Sequence, residues 1–362
     1  MPTFRSRTAF EIARGVKAFL NIEGGLTRKE AAATETADDA IRRLRRAEAQ
    51  IARQQQVIEN KKRRIIQLNQ RMSDNTVNPG TDGIPSENLV WIFGNGRTGS
   101  TWLSRMMGEM EGHAVWFEPS VGELFGNLYY NDLRAARRRG KVFILGDQQK
   151  ETWLNSIRSF VLEGANARFP QVVRRRGFLV VKEPHGSVGA PLLMEALPES
   201  RQIFLVRDPR DVVSSALNAF EKGSWGYEHR REDNLRVVQA NERPDDFVRV
   251  RAESYLRGMG KAKEAYEAHE GRKSLVRYEE LRSDTLSTMK RIYKDLEVSV
   301  EEEDLTQAVE KHSWENVPEK DRGEGKFHRK ASPGGWREDL TTGQIEIVER
   351  ITAPLLKEFY GA

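Results

Sequence analysis

The chain has no cysteine among its 362 residues. That excludes disulfides and thiolate-held metals, and it is the usage expected of a reducing, intracellular compartment. The six histidines fall at no paired ligand spacing, so no metal centre is expected. No apolar run approaches the roughly 18 residues of a membrane span. Glu11, Arg14 and Lys17 sit where a secretion signal would be uncharged, which makes a cytoplasmic location the expectation. The chain also lacks internal repeats. A large charge excess is missing too: 59 Lys/Arg stand against 54 Asp/Glu. The small positive balance is uneven, because residues 1–73 carry 16 basic against 8 acidic side chains and the remainder 43 against 46. A near-neutral body argues against nucleic acid as its partner, and leaves polyanion contact to the N-terminal arm.

What is present divides the chain into an arm of 1–72, a linker of 73–86 and a globular domain of 87–362. Phe10, Ala13, Val16, Phe19 and Leu20 give residues 8–22 one apolar helical face, suited to docking on the body or to peripheral contact with an anionic membrane. From Thr36 to Arg71 neither glycine nor proline interrupts the chain. Leu44, Ile51, Ile58, Ile65 and Met72 recur every seven residues, but the matching positions Ala40, Ala47, Gln54, Lys61 and Leu68 make a poor second half of the seam. A weak parallel coiled coil through 36–72, making a homo-oligomer, is expected, with a solvated helix as the alternative. Residues 73–86 are turn-formers throughout.

The domain is organised around Leu89-Val90-Trp91-Ile92-Phe93-Gly94-Asn95-Gly96-Arg97-Thr98-Gly99-Ser100-Thr101-Trp102-Leu103. A buried strand, a glycine-rich turn and a helix start aim backbone N–H groups at an anion. Arg97 adds a permanent cation, and Thr98, Ser100 and Thr101 add hydroxyls. The spacing Gly94-x4-Gly99 resembles the start of a Walker A loop, but Ser100 stands where that motif has lysine.

Further strands are expected at Ala114–Phe117, closed by Glu118-Pro119, at 177–181, closed by Lys182-Glu183-Pro184-His185, at Gln202–Val206, and at Ser274–Tyr278. Helices are expected over 121–140, 189–197, the stretch after Pro209, 247–268 and 284–296. The final helix should open on a Thr341/Gln344 capping box and bury Ile347, Ile351, Leu355 and Phe359. Residues 221–246, polar and aromatic with little periodicity, read as a lid or an acceptor-binding insertion, and 313–337 as a long loop. Strand, loop and helix in alternation give an α/β domain with a central parallel sheet flanked by helices. In such sheets ligands bind at the strands' C-terminal ends, where Glu118, Lys182 and Arg207 all fall.

Three of these segments together resemble the sulfotransferases that use 3′-phosphoadenosine 5′-phosphosulfate. Arg97-Thr98-Gly99-Ser100-Thr101-Trp102 resembles the family's 5′-phosphosulfate loop. Val206-Arg207-Asp208-Pro209-Arg210-Asp211-Val212-Val213-Ser214-Ser215 resembles its 3′-phosphate segment, with arginine and serine eight residues apart. Arg329-Lys330-Ala331-Ser332-Pro333-Gly334-Gly335-Trp336 is similar to its C-terminal loop, with departures at Ala331 and Gly335. Tyr278-Glu279-Glu280-Leu281 also resembles a family segment. The resemblance covers roughly residues 87–345 and implies a P-loop-like fold. It implies donor binding by Gly96, Arg97, Thr98, Gly99, Ser100, Thr101, Trp102, Arg207, Ser215, Arg329, Lys330 and Gly334, without a metal. It also implies a hydroxyl acceptor. Glu118-Pro119 matches the carbohydrate-modifying branch, which favours a glycan or glycolipid.

The resemblance, taken with the chemistry of sulfuryl transfer, also implies roles. Arg97 and Lys182 would stabilise charge on the leaving group, and Glu118 would take the acceptor proton, with His185 as the competing base. Two other readings stand beside this one. A P-loop kinase would need lysine at position 100 and a Mg2+-binding Asp after a strand, for which Asp208 is the nearest candidate. A coiled-coil adaptor would carry the nucleotide fold without its chemistry.

Overall fold

The computed structural model describes Gln54–Gln55 and residues 83–139, 143–229, 234–326, 330 and 332–361. The chain divides into two units, Met1–Thr76 and Val77–Ala362. The amphipathic helix of 8–22, the coiled coil of 36–72 and most of the 73–86 linker lie outside the described residues, as does Arg329.

The second unit is a five-stranded parallel sheet between helical layers. Its elements run β1 (Leu89–Phe93), α1 (Ser100–Gly108), β2 (Ala114–Phe117), α2 (Val121–Arg139), α3 (Lys150–Arg168), α4 (Pro170–Arg175), β3 (Leu179–Lys182), α5 (Ala190–Ala196), β4 (Arg201–Val206) and α6 (Pro209–Phe220). They continue as α7 (Trp225–Glu228), α8 (Leu235–Glu242), α9 (Pro244–Ala268), β5 (Lys273–Arg277), α10 (Tyr278–Ser283), α11 (Thr285–Asp295), α12 (Glu302–Lys311), α13 (Trp336–Asp339) and α14 (Thr342–Tyr360). The strand order is β2-β3-β1-β4-β5, and every neighbouring pair is parallel.

Period-two alternation sorts β1 between two cores. Val90 and Ile92 pack with Val180, Ile203, Leu205 and Val276 beneath Leu103, Met106 and Met107 of α1 and Met289 and Ile292 of α11. On β1's other face Trp91 and Phe93 stack at 5.6 Å. A further apolar cluster joins α6, α9 and α14 through Val213, Leu217, Phe247, Val248 and Val348. Because both faces of the sheet are covered, its strands read as continuous apolar runs.

Three expectations are corrected. Residues 221–246 are not an irregular insertion, since α7 and α8 lie within them, each packed on the α6 core through Trp225 and Val237. The α14 stripe is displaced: Gln344, Val348, Thr352, Leu355 and Leu356 are buried, while Ile347, Ile351 and Phe359 flank them half-buried. The stretch 313–337 is not wholly loop, because Trp336 opens α13 and inserts into the core at 7% exposure. The Thr341/Gln344 capping box is present.

Candidate active site

After β1 the chain crosses to one side of the sheet, towards β2, and after β4 to the other, towards β5. Loops that diverge from adjacent strands open a crevice at their C-terminal ends. The glycine-rich loop and the segment starting at Arg207 are the two walls of that crevice. Arg207 donates from Nη1 to the Arg97 carbonyl at 2.8 Å, and Arg97 Nε donates to Ser215 Oγ at 3.0 Å. Ser215 lies two turns into α6, so the eight-residue spacing from Arg207 brings both side chains to one wall.

The loop is held open by its own geometry. Gly99 takes φ 91°, and a Cβ there would lie 2.6 Å from the Tyr278 ring. Ser187 Oγ accepts from Gly94 N and donates to Gly94 O, tying the loop to the segment after β3. Thr98 is fully buried, its hydroxyl donating to Asn95 O at 2.7 Å. That hydroxyl closes the turn and is not presented to the cavity. Among the described residues no side chain caps α1, so its first amides remain available to an anion. Arg97 itself has φ 75°.

A cavity of about 940 Å³ opens over this crevice. Gly96, Arg97, Gly99, Ser100, Thr101 and Trp102 line it from the loop, and Arg207 and Ser215 from the far wall. Glu118, Lys182 and His185 line a third side, and Lys330 closes towards it from the C-terminal segment. Gly334 does not face the cavity. Its φ of 86° and its amide, which donates to Asp211 Oδ2 at 2.8 Å, shape the loop instead. Trp336 N donates to the other oxygen of Asp211 at 3.2 Å, so one α6 carboxylate fastens the whole segment. Lys330 pairs with Glu338 and Asp339.

Glu118 and Lys182 come from paired strands. Phe117 sits opposite Lys182 in the β2–β3 ladder, Glu118 N donates to Lys182 O at 2.9 Å, and Lys182 Nζ lies 2.5 Å from Glu118 Oε1. His185 Nε2 is 4.0 Å from the same oxygen. Burial first, then the charges of Arg251, Lys182 and Arg236, outweigh Glu118 and hold the His185 imidazole below its ordinary pKa.

Beneath them Glu183 is 1% exposed, and its Oε2 accepts from Ser120 N at 3.1 Å. Burial pushes this carboxyl up to about 8, against the lowering effect of the Ser120 and Gly122 amides. Of the five non-glycine residues with positive φ among those described, Arg97, Glu118 and Ser120 all border this cavity or its floor. Backbone strain concentrated in this way marks a site whose geometry the surrounding fold enforces.

Several lining residues were not anticipated from sequence. Tyr278 lies under the Arg207 guanidinium at 4.2 Å, and Trp225 under that of Arg97 at 5.5 Å. Arg236 and Arg251 reach the cavity from α8 and α9. Two signals pointed here: the Tyr278-Glu279-Glu280-Leu281 segment, and the reading of 221–246, which holds Trp225 and Arg236, as a lid or acceptor-binding insertion. Asp208, the kinase reading's metal ligand, caps α6 and pairs with Arg210 at 2.8 Å.

A profile of the Sulfotransferase family matches residues 90–302, and the chain belongs to that family. Among curated proteins no sequence matches significantly. Solved structures similar to it include mouse sulfotransferase SULT7A1 complexed with PAP, at 13% identity, a TM-score of 0.46, and coverage of 79% of this chain and 91% of that one. Sulfotransferase STF9 from Mycobacterium avium is similar at 16% identity and a TM-score of 0.47, with 81% of each chain covered. The sulfotransferase domain of the Synechococcus olefin synthase is similar at 17% identity and a TM-score of 0.41, covering 72% of this chain and 93% of that domain.

Proposed function

We propose that this family member moves a sulfuryl group from 3′-phosphoadenosine 5′-phosphosulfate to a hydroxyl of a carbohydrate or glycolipid. The observation that carries the reading is the join between Arg207 and Arg97 across the β1–β4 crevice. It gathers two guanidinium groups, a helix start and Ser215 in one crevice, which supports a site that meets both phosphate ends of one nucleotide. The Nε of Arg207 is buried and has no hydrogen-bond partner among the described residues, which fits an anion-binding site.

When bound, the donor supplies a sulfuryl group whose bond to the phosphate oxygen breaks as its bond to the acceptor oxygen forms. Arg97 and the α1 amides would hold the 5′-phosphate and stabilise charge on the departing oxygen. Lys182, 5% exposed and lining the same cavity, would reach the same oxygens. Arg207 and Ser215 would read the 3′-phosphate, and the segment carrying Lys330, with Arg329 beside it, would cover it. Glu118 would take the proton from the acceptor hydroxyl, positioned by its strand-end turn and by Lys182. His185 would hydrogen-bond the acceptor. An imidazole held neutral is itself a proton acceptor, and that observation favours His185 as the alternative base.

Thermal shift with 3′-phosphoadenosine 5′-phosphate, set against ATP–Mg2+, tests the donor. Stabilisation by the bisphosphate alone supports the reading, and stabilisation by ATP–Mg2+ alone supports the kinase. For the arm, we infer self-association through 36–72 in a cytoplasmic protein.

A further inference from the structure

Arg251 projects from α9 one turn before Tyr255, whose hydroxyl donates to the Arg207 carbonyl at 2.7 Å. Residues four apart share a helix face, so Arg251 is aimed at the cavity. Arg236, from α8, lines the same wall. Neither guanidinium has an ion pair or a hydrogen-bond acceptor among the described residues, and Arg251 Nε is buried without a partner. Burial and the neighbouring Arg236 push the Arg251 pKa down to about 10, with no carboxylate offsetting them. Both arginines also act on His185, which sets them on the Glu118–His185 side of the cavity. The donor motifs supply different cations: Arg97, Arg207 and Lys330. Here the two arginines also form the rim of a side pocket of about 340 Å³, which adds Arg257 and has Glu253 as its one acid.

An exposed arginine without a partner is ordinary. Two adjacent guanidinium groups, one with its Nε desolvated, repel each other and have among the described residues no counter-charge of the kind burial demands. A planar, fork-shaped donor set of this kind matches carboxylate, sulfate and phosphate oxygens. Resting on the sulfotransferase reading above, we propose that the acceptor is anionic, carrying a carboxylate, sulfate or phosphate that Arg236 and Arg251 hold while the reacting hydroxyl faces Glu118 and His185. A neutral sugar would fill the same space and leave both cations unanswered.

The test uses full-length protein saturated with 3′-phosphoadenosine 5′-phosphate, after a titration that establishes its affinity. Failure of that nucleotide titration counts against the donor reading, an outcome separate from any failure of the acceptor probes. Calorimetry then compares phenyl β-glucoside with three matched probes: phenyl β-glucuronide, phenyl β-glucoside 6-sulfate and phenyl β-glucoside 6-phosphate. At least one anionic probe should bind ten-fold or more tighter than the neutral one, and the best of the three identifies the anion. In Arg251→Gln, and separately in Arg236→Gln at the exposed rim, that advantage should fall below about three-fold with nucleotide affinity unchanged. Arg251→Lys should restore part of it. The proposal is overturned if no anionic probe outbinds the glucoside, including the case where none binds. It is equally overturned if the advantage survives both glutamine variants, or if they weaken the nucleotide instead.

Discussion

Lys182 Nζ lies 2.5 Å from Glu118 Oε1, each residue leaving the C-terminal end of its own strand, β3 and β2. The pair is asymmetric. The lysine is 6% exposed at its side chain and the glutamate 40%, so the cation is fixed and the carboxylate remains reachable from the cavity.

Glu118→Gln keeps the shape and removes the proposed proton acceptor. Turnover should fall by roughly 10²–10⁴, the usual contribution of general-base catalysis, with nucleotide affinity nearly unchanged. His185→Asn should cost far less. Product release from a working acceptor, or slow donor hydrolysis until one is known, gives the readout. A dead histidine variant beside an active glutamine variant would exchange the two roles.

Glu183 makes stability depend on pH. Its folded pKa is about 8, against an ordinary value of 4.5. Between these values the native state keeps a proton that the unfolded chain releases, so this group's contribution declines as pH rises through the window. Glu183→Gln, which can still accept from the Ser120 and Gly122 amides, should flatten that decline. The check is Tm at pH 6 and pH 9 for both proteins: the drop should be larger for the wild type.

Asp211 fastens the C-terminal segment through two backbone amides, at Gly334 and Trp336. Asp211→Ala orphans both. Each buried unsatisfied donor costs about 1–3 kcal/mol. Protection of the Gly334 and Trp336 amides from hydrogen exchange should drop, and nucleotide dissociation should speed up, while β1 exchange is unaltered.

The sheet and both walls of the crevice were legible because they are local. Five short apolar runs, a glycine triplet after the first, and Arg207 eight residues before Ser215 need only strand and helix periods to be interpreted. The α14 stripe was misread by one position because Thr352 is fully buried, its hydroxyl donating to Val348 O inside the helix, and hydropathy counts such a threonine as surface. Helices α7 and α8 were missed because four and eight residues are too few to show a period, and Leu235 is 55% exposed. Arg236, Arg251 and Trp225 were unreadable for another reason. They reach the cavity across more than a hundred residues of chain, and only the packing of α7, α8 and α9 on α6 brings them there.

Truncation should separate the two units. A chain beginning at Val77 keeps Ile84 in the core, where its amide donates to Asn166 Oδ1 at 2.7 Å. It should fold and bind nucleotide as a monomer, while full-length protein scatters light at a multiple of its own mass. The same number of chains per particle in both would remove the coiled coil from the account.

The central claim is that one crevice reads both phosphate ends of a 3′,5′-bisphosphorylated adenosine. Arg207→Ala and wild type should be titrated in parallel with 3′-phosphoadenosine 5′-phosphate and with adenosine 5′-monophosphate. The account predicts a loss of roughly 2–5 kcal/mol for the bisphosphate, as expected when a buried charge loses its partner, and almost none for the monophosphate. Equal losses for the two nucleotides, or wild-type protein that binds neither more tightly than the other, would contradict it.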